Sequence, residues 1–207
     1  MPASSSSVDL SETQAIAAAA GALRHGGVVV YPTETLYGLG VDATNPTALA
    51  RLVALKGREP GKPISVLVTD ETMLSGLAAE VSPLARRLVR RFWPGPLTLV
   101  LPARADVSDL LTGGTGTIGV RVSSHPVATA LVVAVDRPVT SPSANPSGCT
   151  PPVTIDDARG YFGTTVDAYL DAGRLSGEPA STVVDVRNGL HVLREGAVPA
   201  ALLRATA

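Results

Sequence analysis

Residues 26–40 read GGVVVYPTETLYGLG. The run VVVYP is β-branched and apolar with no polar alternation, the pattern of a strand buried on both faces, and Pro32 ends it. Just upstream, AIAAAAGALRH at residues 15–25 has the composition of a helix closed by Gly26 and Gly27. Ser11 with Gln14 has the spacing of a capping box ahead of it. Helix, doubly buried strand and glycine-rich loop in succession describe an α/β chain. Residues 1–10 read as a flexible lead and 11–207 as a single domain.

Working outward, Asn45 as N-cap and Pro46 at the first helical position start a helix over TALARLVALK. ISVLV is a second buried strand, and Ser82 with Pro83 repeats the cap-and-proline start for LARRLVRRFW. LTLVL, TIGVRV, PVTSPS, DAYLD, STVVDV and HVLREG read as further strands, with helices over HPVATALVVAV and TIDDARGYF. The expected fold is a twisted mixed sheet, parallel where helices intervene and antiparallel where strands follow directly, with flanking helices.

With 207 residues and 45% hydrophobic content the chain can bury a large core. Lys and Arg total 17 against 18 Asp and Glu, so nothing draws the whole molecule to a polyanion. The single cysteine, Cys149, lies in a turn without a neighbouring cation and reads as an inert thiol. No basic-then-apolar leader and no bilayer-length apolar run is present, and a cytoplasmic location is expected.

Local chemistry is therefore the question. The three histidines, His25, His125 and His191, have no partner at metal-ligand spacing, and neither a GxSxG elbow nor a P-loop occurs. In KGREPGKPIS, residues 56–65, Lys56, Arg58 and Lys62 gather on a helix end and turn. Arg86, Arg87, Arg90 and Arg91 instead read as the solvated face of a helix. Thr33, Thr35 and Tyr37 follow the first strand, with Gly38 and Gly40 leaving room for a ligand to approach. SPSANPSG, residues 141–148, offers uncharged donors suited to phosphate, ribose or carboxylate. Arg121 is a charge in a strand fit for burial, and two partners stand open for it: a ligand carboxylate or an internal Asp. Ser181 and Arg194 are further polar groups at strand ends, and such ends border a ligand crevice in open α/β sheets.

The ordered set GGVVVYPTETLYGLG, KGREPGKP, PGPLTLVL, GVRV, SPSANPSG, STVVDV and LREG resembles the YrdC/Sua5 family of threonylcarbamoyl-adenylate synthases, from Gly26 to Gly196. The resemblance implies an open concave ligand cleft on the sheet, and that L-threonine, bicarbonate and ATP are joined into threonylcarbamoyl-AMP with release of pyrophosphate, the first step of t6A formation at tRNA position 37. It implies a lysine-x-arginine and serine-x-asparagine set facing ATP, here Lys56, Arg58, Ser143 and Asn145, with Lys56 and Arg58 as the catalytic cations. Lys62, Thr117 and Arg194 join the nucleotide side, and Thr33, Arg121, Ser141 and Ser181 hold L-threonine. Mg2+ would arrive on the ATP phosphates without a protein metal cage, and the expected partners are tRNA and a downstream threonylcarbamoyl transferase.

Two departures stand out against that pattern. Many members place proline directly after the arginine, whereas here Glu59 intervenes before Pro60, and the chain ends at Ala207, as in the short form of the family. Two alternatives remain: a non-catalytic module binding double-stranded RNA or tRNA, and a paralogue acting on a different carbamate.

Overall fold

The computed structural model describes residues 6–57, 61–177 and 179–206. The first half runs α1 (Ser6–Arg24), β1 (Val29–Pro32), β2 (Tyr37–Gly40), α2 (Pro46–Lys56), β3 (Val66–Leu67), α3 (Glu71–Ser75), α4 (Pro83–Phe92) and β4 (Leu97–Pro102). There follow α5 (Asp109–Thr112), β5 (Thr117–Arg121), α6 (Pro126–Val135), β6 (Val139–Thr140), α7 (Ile155–Phe162), β7 (Ala168–Tyr169), β8 (Thr182–Asp185), β9 (His191–Arg194) and α8 (Ala200–Thr206).

Local signals set most of these boundaries. Asn45 Oδ1 accepts from the Thr47 and Ala48 amides at 3.0 and 3.2 Å, and Gly57 closes α2 with a left-handed φ of 54°. Ser82 caps α4 in the same way. The first helix differs from expectation: α1 begins at Ser6, so the Ser11–Gln14 pair lies inside the helix and does not start it. Residues 1–5 of the expected lead lie outside the described residues.

The glycine-rich loop contains β2, which pairs antiparallel with β1. Its two glycines differ: a Cβ on Gly40 would stand 2.8 Å from Tyr31 Cε1 and 3.0 Å from Val139 Cγ1, so the Tyr31 ring fills the space there, whereas Gly38 borders an open cleft. Short helices α3, α5 and α8 were not foreseen.

The fold is α/β with mixed pairing, and the strands divide between two sheets, ordered β2-β1-β7 and β6-β3-β5-β4-β8-β9. Strand β6 stands at the seam. The Thr140 amide donates to Val41 O on one side, and the Ser141 amide donates to Ser65 O at 2.7 Å on the other. Pro138 and Pro142 supply no amide hydrogen, which holds β6 to two residues.

Strand β1 is buried on both faces, as its sequence requires. Val28 and Val30 enter the larger core with β4, β5 and α2, while Val29 and Tyr31 enter a second core under α1 and α6. Each fully buried side chain of this size contributes about 1.5–3 kcal/mol. Among the described residues no helix is long and apolar enough to cross a membrane.

Candidate functional site

Strand periodicity builds the site from the same segments that build the core. Thr98 and Val100 of β4, Thr117, Gly119 and Arg121 of β5, and Ser181, Val183 and Asp185 along β8 step by two, so they share one face of the larger sheet. Their intervening neighbours Leu97, Leu99, Ile118, Val120 and Val184 are buried in the larger core on the other face. The polar face floors a cleft of about 580 Å3. Its facing wall is the β1–β2 loop, through Thr33 and Thr35, together with Ser141 to Ser143 beyond β6.

The facing wall is fixed by one local bond and two that join distant segments. Thr33 Oγ1 donates to Leu36 O at 2.7 Å, closing the β1–β2 loop on itself. Ser65 Oγ donates to Ser141 O at 3.2 Å, and the Leu39 amide donates to Pro142 O at 2.8 Å. On the floor, the hydroxyls of Thr115 and Thr117 lie 2.8 Å apart, and those of Thr98 and Ser181 3.2 Å apart.

Four charged side chains line the cleft: Arg121, Asp185, Arg187 and Arg194. Arg121, only 5% exposed, pairs through Nη1 with Glu34 and donates through Nη2 to Ser141 Oγ at 3.2 Å. The second Glu34 oxygen accepts from the Ser123 hydroxyl. Arg194 donates through Nη2 to Ser181 O at 2.8 Å. Desolvation in the cleft, followed by the charge of Arg121, lowers the Arg194 pKa from its ordinary value. Beyond β8, hydrogen bonds from Arg187 hold the Asp185 carboxyl below the usual carboxylate range.

Of the residues expected at the site, Thr33, Thr117, Arg121, Ser141, Ser143, Ser181 and Arg194 all line this one cleft. They stand at or just beyond strand ends, as expected: Thr33 follows β1, Ser141 and Ser143 follow β6, Ser181 precedes β8, Thr117 and Arg121 are the end residues of β5, and Arg194 ends β9. Lys56 is placed elsewhere. It is 4% exposed, outside the lining, and Nζ donates to the carbonyl oxygens of Ser143 at 2.6 Å and Asn145 at 2.7 Å. These two bonds hold the loop that carries Ser143.

Asn145 also lies behind the wall, its Nδ2 donating to Pro146 O and Cys149 O, while the buried Oδ1 accepts no hydrogen bond from the described residues. Lys62 is exposed and does not line the cleft, although Pro63 beside it does. Arg58 and Glu59 lie outside the described residues. Tyr37 turns its hydroxyl away from the cleft, donating to Gly173 O at 2.7 Å. The four arginines of α4 are exposed, and Arg86 pairs with Glu71.

Sequence reasoning missed Glu34, Ser123 and the Asp185–Arg187 pair. An acid inside the threonine-rich PTETL segment was the available signal for Glu34. Asp185, an acid in the otherwise apolar STVVDV strand, parallels Arg121 in GVRV.

Residues 21–196 match the family model for Sua5, YciO and YrdC proteins, described as "Telomere recombination". The threonylcarbamoyl-AMP synthase of Halorhodospira halophila is 42% identical over 177 residues, covering 85% of this chain and 92% of that protein. The crystal structure of Pyrococcus abyssi Sua5 complexed with L-threonine is similar with a TM-score of 0.90 and 36% identity over 94% of this chain, which spans 57% of that longer one. E. coli YciO is similar with a TM-score of 0.83 and 28% identity, over 92% of this chain and 93% of that one.

Proposed function

The chain belongs to the Sua5/YciO/YrdC family, and on that premise we infer that it condenses L-threonine, bicarbonate and ATP into threonylcarbamoyl-AMP and pyrophosphate. The observation that carries this reading is the meeting of seven hydroxyl and cationic residues in one cleft of about 580 Å3, Arg121 and Arg194 supplying positive charge. A relative named as such a synthase and matched over nearly its whole length favours catalysis over the RNA-binding alternative.

The reaction suits this equipment. The threonine amine and carbon dioxide form a carbamate, whose oxygen attacks the α-phosphate as pyrophosphate leaves. Such a step needs alignment and charge neutralisation and no protein nucleophile. Arg121, with its planar fork, receives the threonine carboxylate beside Thr33, Ser141 and Ser181. Thr117, Ser143 and Arg194 face the nucleotide, joined by Arg58 and Lys62, which follow α2 in the sequence. Lys56 and Asn145 contribute by shaping the Ser143 segment, and the buried Asn145 Oδ1 is an acceptor suited to a donor that reaches it from that side.

Mg2+ fits as a companion of the phosphates. Glu34 behind Arg121 and Asp185 on the floor of the cleft are committed to Arg121 and Arg187, which leaves hydroxyls, water and phosphate oxygens as its ligands. When bound it would neutralise triphosphate charge. The product then passes, in the cytoplasm, to a transferase that modifies tRNA position 37. Pyrophosphate release that requires threonine and bicarbonate together, with threonylcarbamoyl-AMP seen by mass spectrometry, is the expected result. Release indifferent to threonine would overturn the reading.

A further inference from the structure

We propose that Glu34 is a positioning residue for substrate-carboxylate recognition, acting through the guanidinium of Arg121. The proposal rests on the reading above that Arg121 receives the threonine carboxylate. What it adds is an acid that sets the angle and availability of that cation.

Arg121 lines the cleft and Glu34 does not, so the acid stands behind and the cation in front. Glu34 is held from two directions. One oxygen takes Arg121 Nη1, and the other accepts from Ser123, whose hydroxyl in turn accepts from the His125 amide at 3.2 Å at the start of α6. Ser176 Oγ donates to the Glu34 carbonyl at 3.1 Å and anchors its backbone. A carboxylate with both oxygens engaged and its main chain tied has little freedom to swing.

This fixes the guanidinium. With Nη1 taken by Glu34 and Nη2 resting on Ser141 Oγ at 3.2 Å, rotation of the planar group would break a bond at either end. A fork that must meet a carboxylate edge-on gains from being held in plane before the ligand arrives. The charge argument points the same way. Arg121 is nearly buried and shares the cleft with Arg194, so an acid behind it offsets desolvation without covering the edge that faces the substrate.

A competing arrangement would have Glu34 act as a rival of the substrate carboxylate, displaced on binding. The two differ in sign: removing a positioning acid weakens threonine binding, and removing a rival strengthens it.

The test measures pyrophosphate release by the full chain with L-threonine and with L-threonine amide, which lacks the carboxylate. Glu34→Gln should raise the threonine KM roughly tenfold, leave the ATP KM within about twofold, and shrink the preference for threonine over its amide. Arg121→Lys should shrink that preference as well, and the double variant should do little more than Arg121→Lys alone. An unchanged or lowered threonine KM in Glu34→Gln overturns the proposal while the Arg121 assignment stands. If Arg121→Lys itself leaves the preference for threonine intact, the reading of Arg121 falls first. Should Glu34→Gln fail to fold, Ser123→Ala decides, with a smaller rise in threonine KM expected and no rise refuting the proposal.

Discussion

The Lys56 ammonium donates to the Ser143 carbonyl oxygen at 2.6 Å and so joins the last turn of α2 to the wall of the cleft. The same nitrogen reaches Asn145 O, and the Ser147 amide returns a bond to Lys56 O at 2.7 Å. The cation that the family resemblance directs toward ATP holds backbone carbonyls, and the residue that this hold supports in the cleft is Ser143.

Replacing Lys56 with Met keeps the apolar stem, removes the ammonium from the Asn145 carbonyl and leaves the Ser143 carbonyl with its bond from the Asn145 amide at 2.9 Å. Leaving a buried acceptor unsatisfied costs about 1–3 kcal/mol, so Lys56→Met should lower the melting temperature by roughly 5–10 °C. Because Ser143 moves with its loop, the ATP KM should rise more than the threonine KM. Thermal denaturation and steady-state kinetics read the two effects, and an unaltered melting temperature would remove the staple from the account.

Gly40 predicts a purely steric effect. A methyl there meets the Tyr31 ring and Val139 inside a core that leaves neither free to retreat. Gly40→Ala should cost about 1–3 kcal/mol, seen as a lower urea midpoint with an unchanged m-value. A midpoint equal to that of the parent would mean that the Tyr31 ring yields.

These two residues also show where the sequence is readable and where it is not. Strand β1 and the caps at Asn45 and Ser82 are local signals, carried within a few residues, and they appear where the sequence places them. Strand β2 was hidden because its glycines satisfy a tyrosine on the neighbouring strand, a relation with no local mark. The cleft members were legible as polar residues in apolar strands, yet their shared face depends on register across β4, β5 and β8. Arg121 announced that it needed a partner. Its partner, 87 positions away and a Glu where an internal Asp or a ligand had been weighed, could be identified only by the fold that joins the β1–β2 loop to β5.

Arg194 offers a contrast to Lys56, since it lines the cleft and, among the described residues, its guanidinium donates to Ser181 alone. Arg194→Met should raise the ATP KM roughly tenfold while changing stability by less than about 1 kcal/mol, as expected of a side chain at an exposed strand end. Its effect should diminish as ionic strength rises, because salt already screens the parent's attraction for triphosphate. A variant with parental ATP KM at low salt would take Arg194 off the nucleotide side.

His125 predicts a pH dependence of stability. Its Nδ1 accepts from the Val127 amide at 3.3 Å and caps α6, a role open only to a ring nitrogen that carries no proton. Burial, the largest influence, lowers its pKa from the ordinary 6.5, and the negative charges of Glu34 and Glu12 oppose that shift without cancelling it. The unfolded chain therefore takes up this proton before the folded one does. The contribution is fully present above about pH 6.5 and is lost as pH falls from there toward the folded-state value. His125→Asn keeps a capping oxygen and removes the titration. Urea midpoints of the parent should fall relative to those of His125→Asn between about pH 7 and pH 5, and a constant difference across that interval would show that the cap does not depend on the charge of the ring.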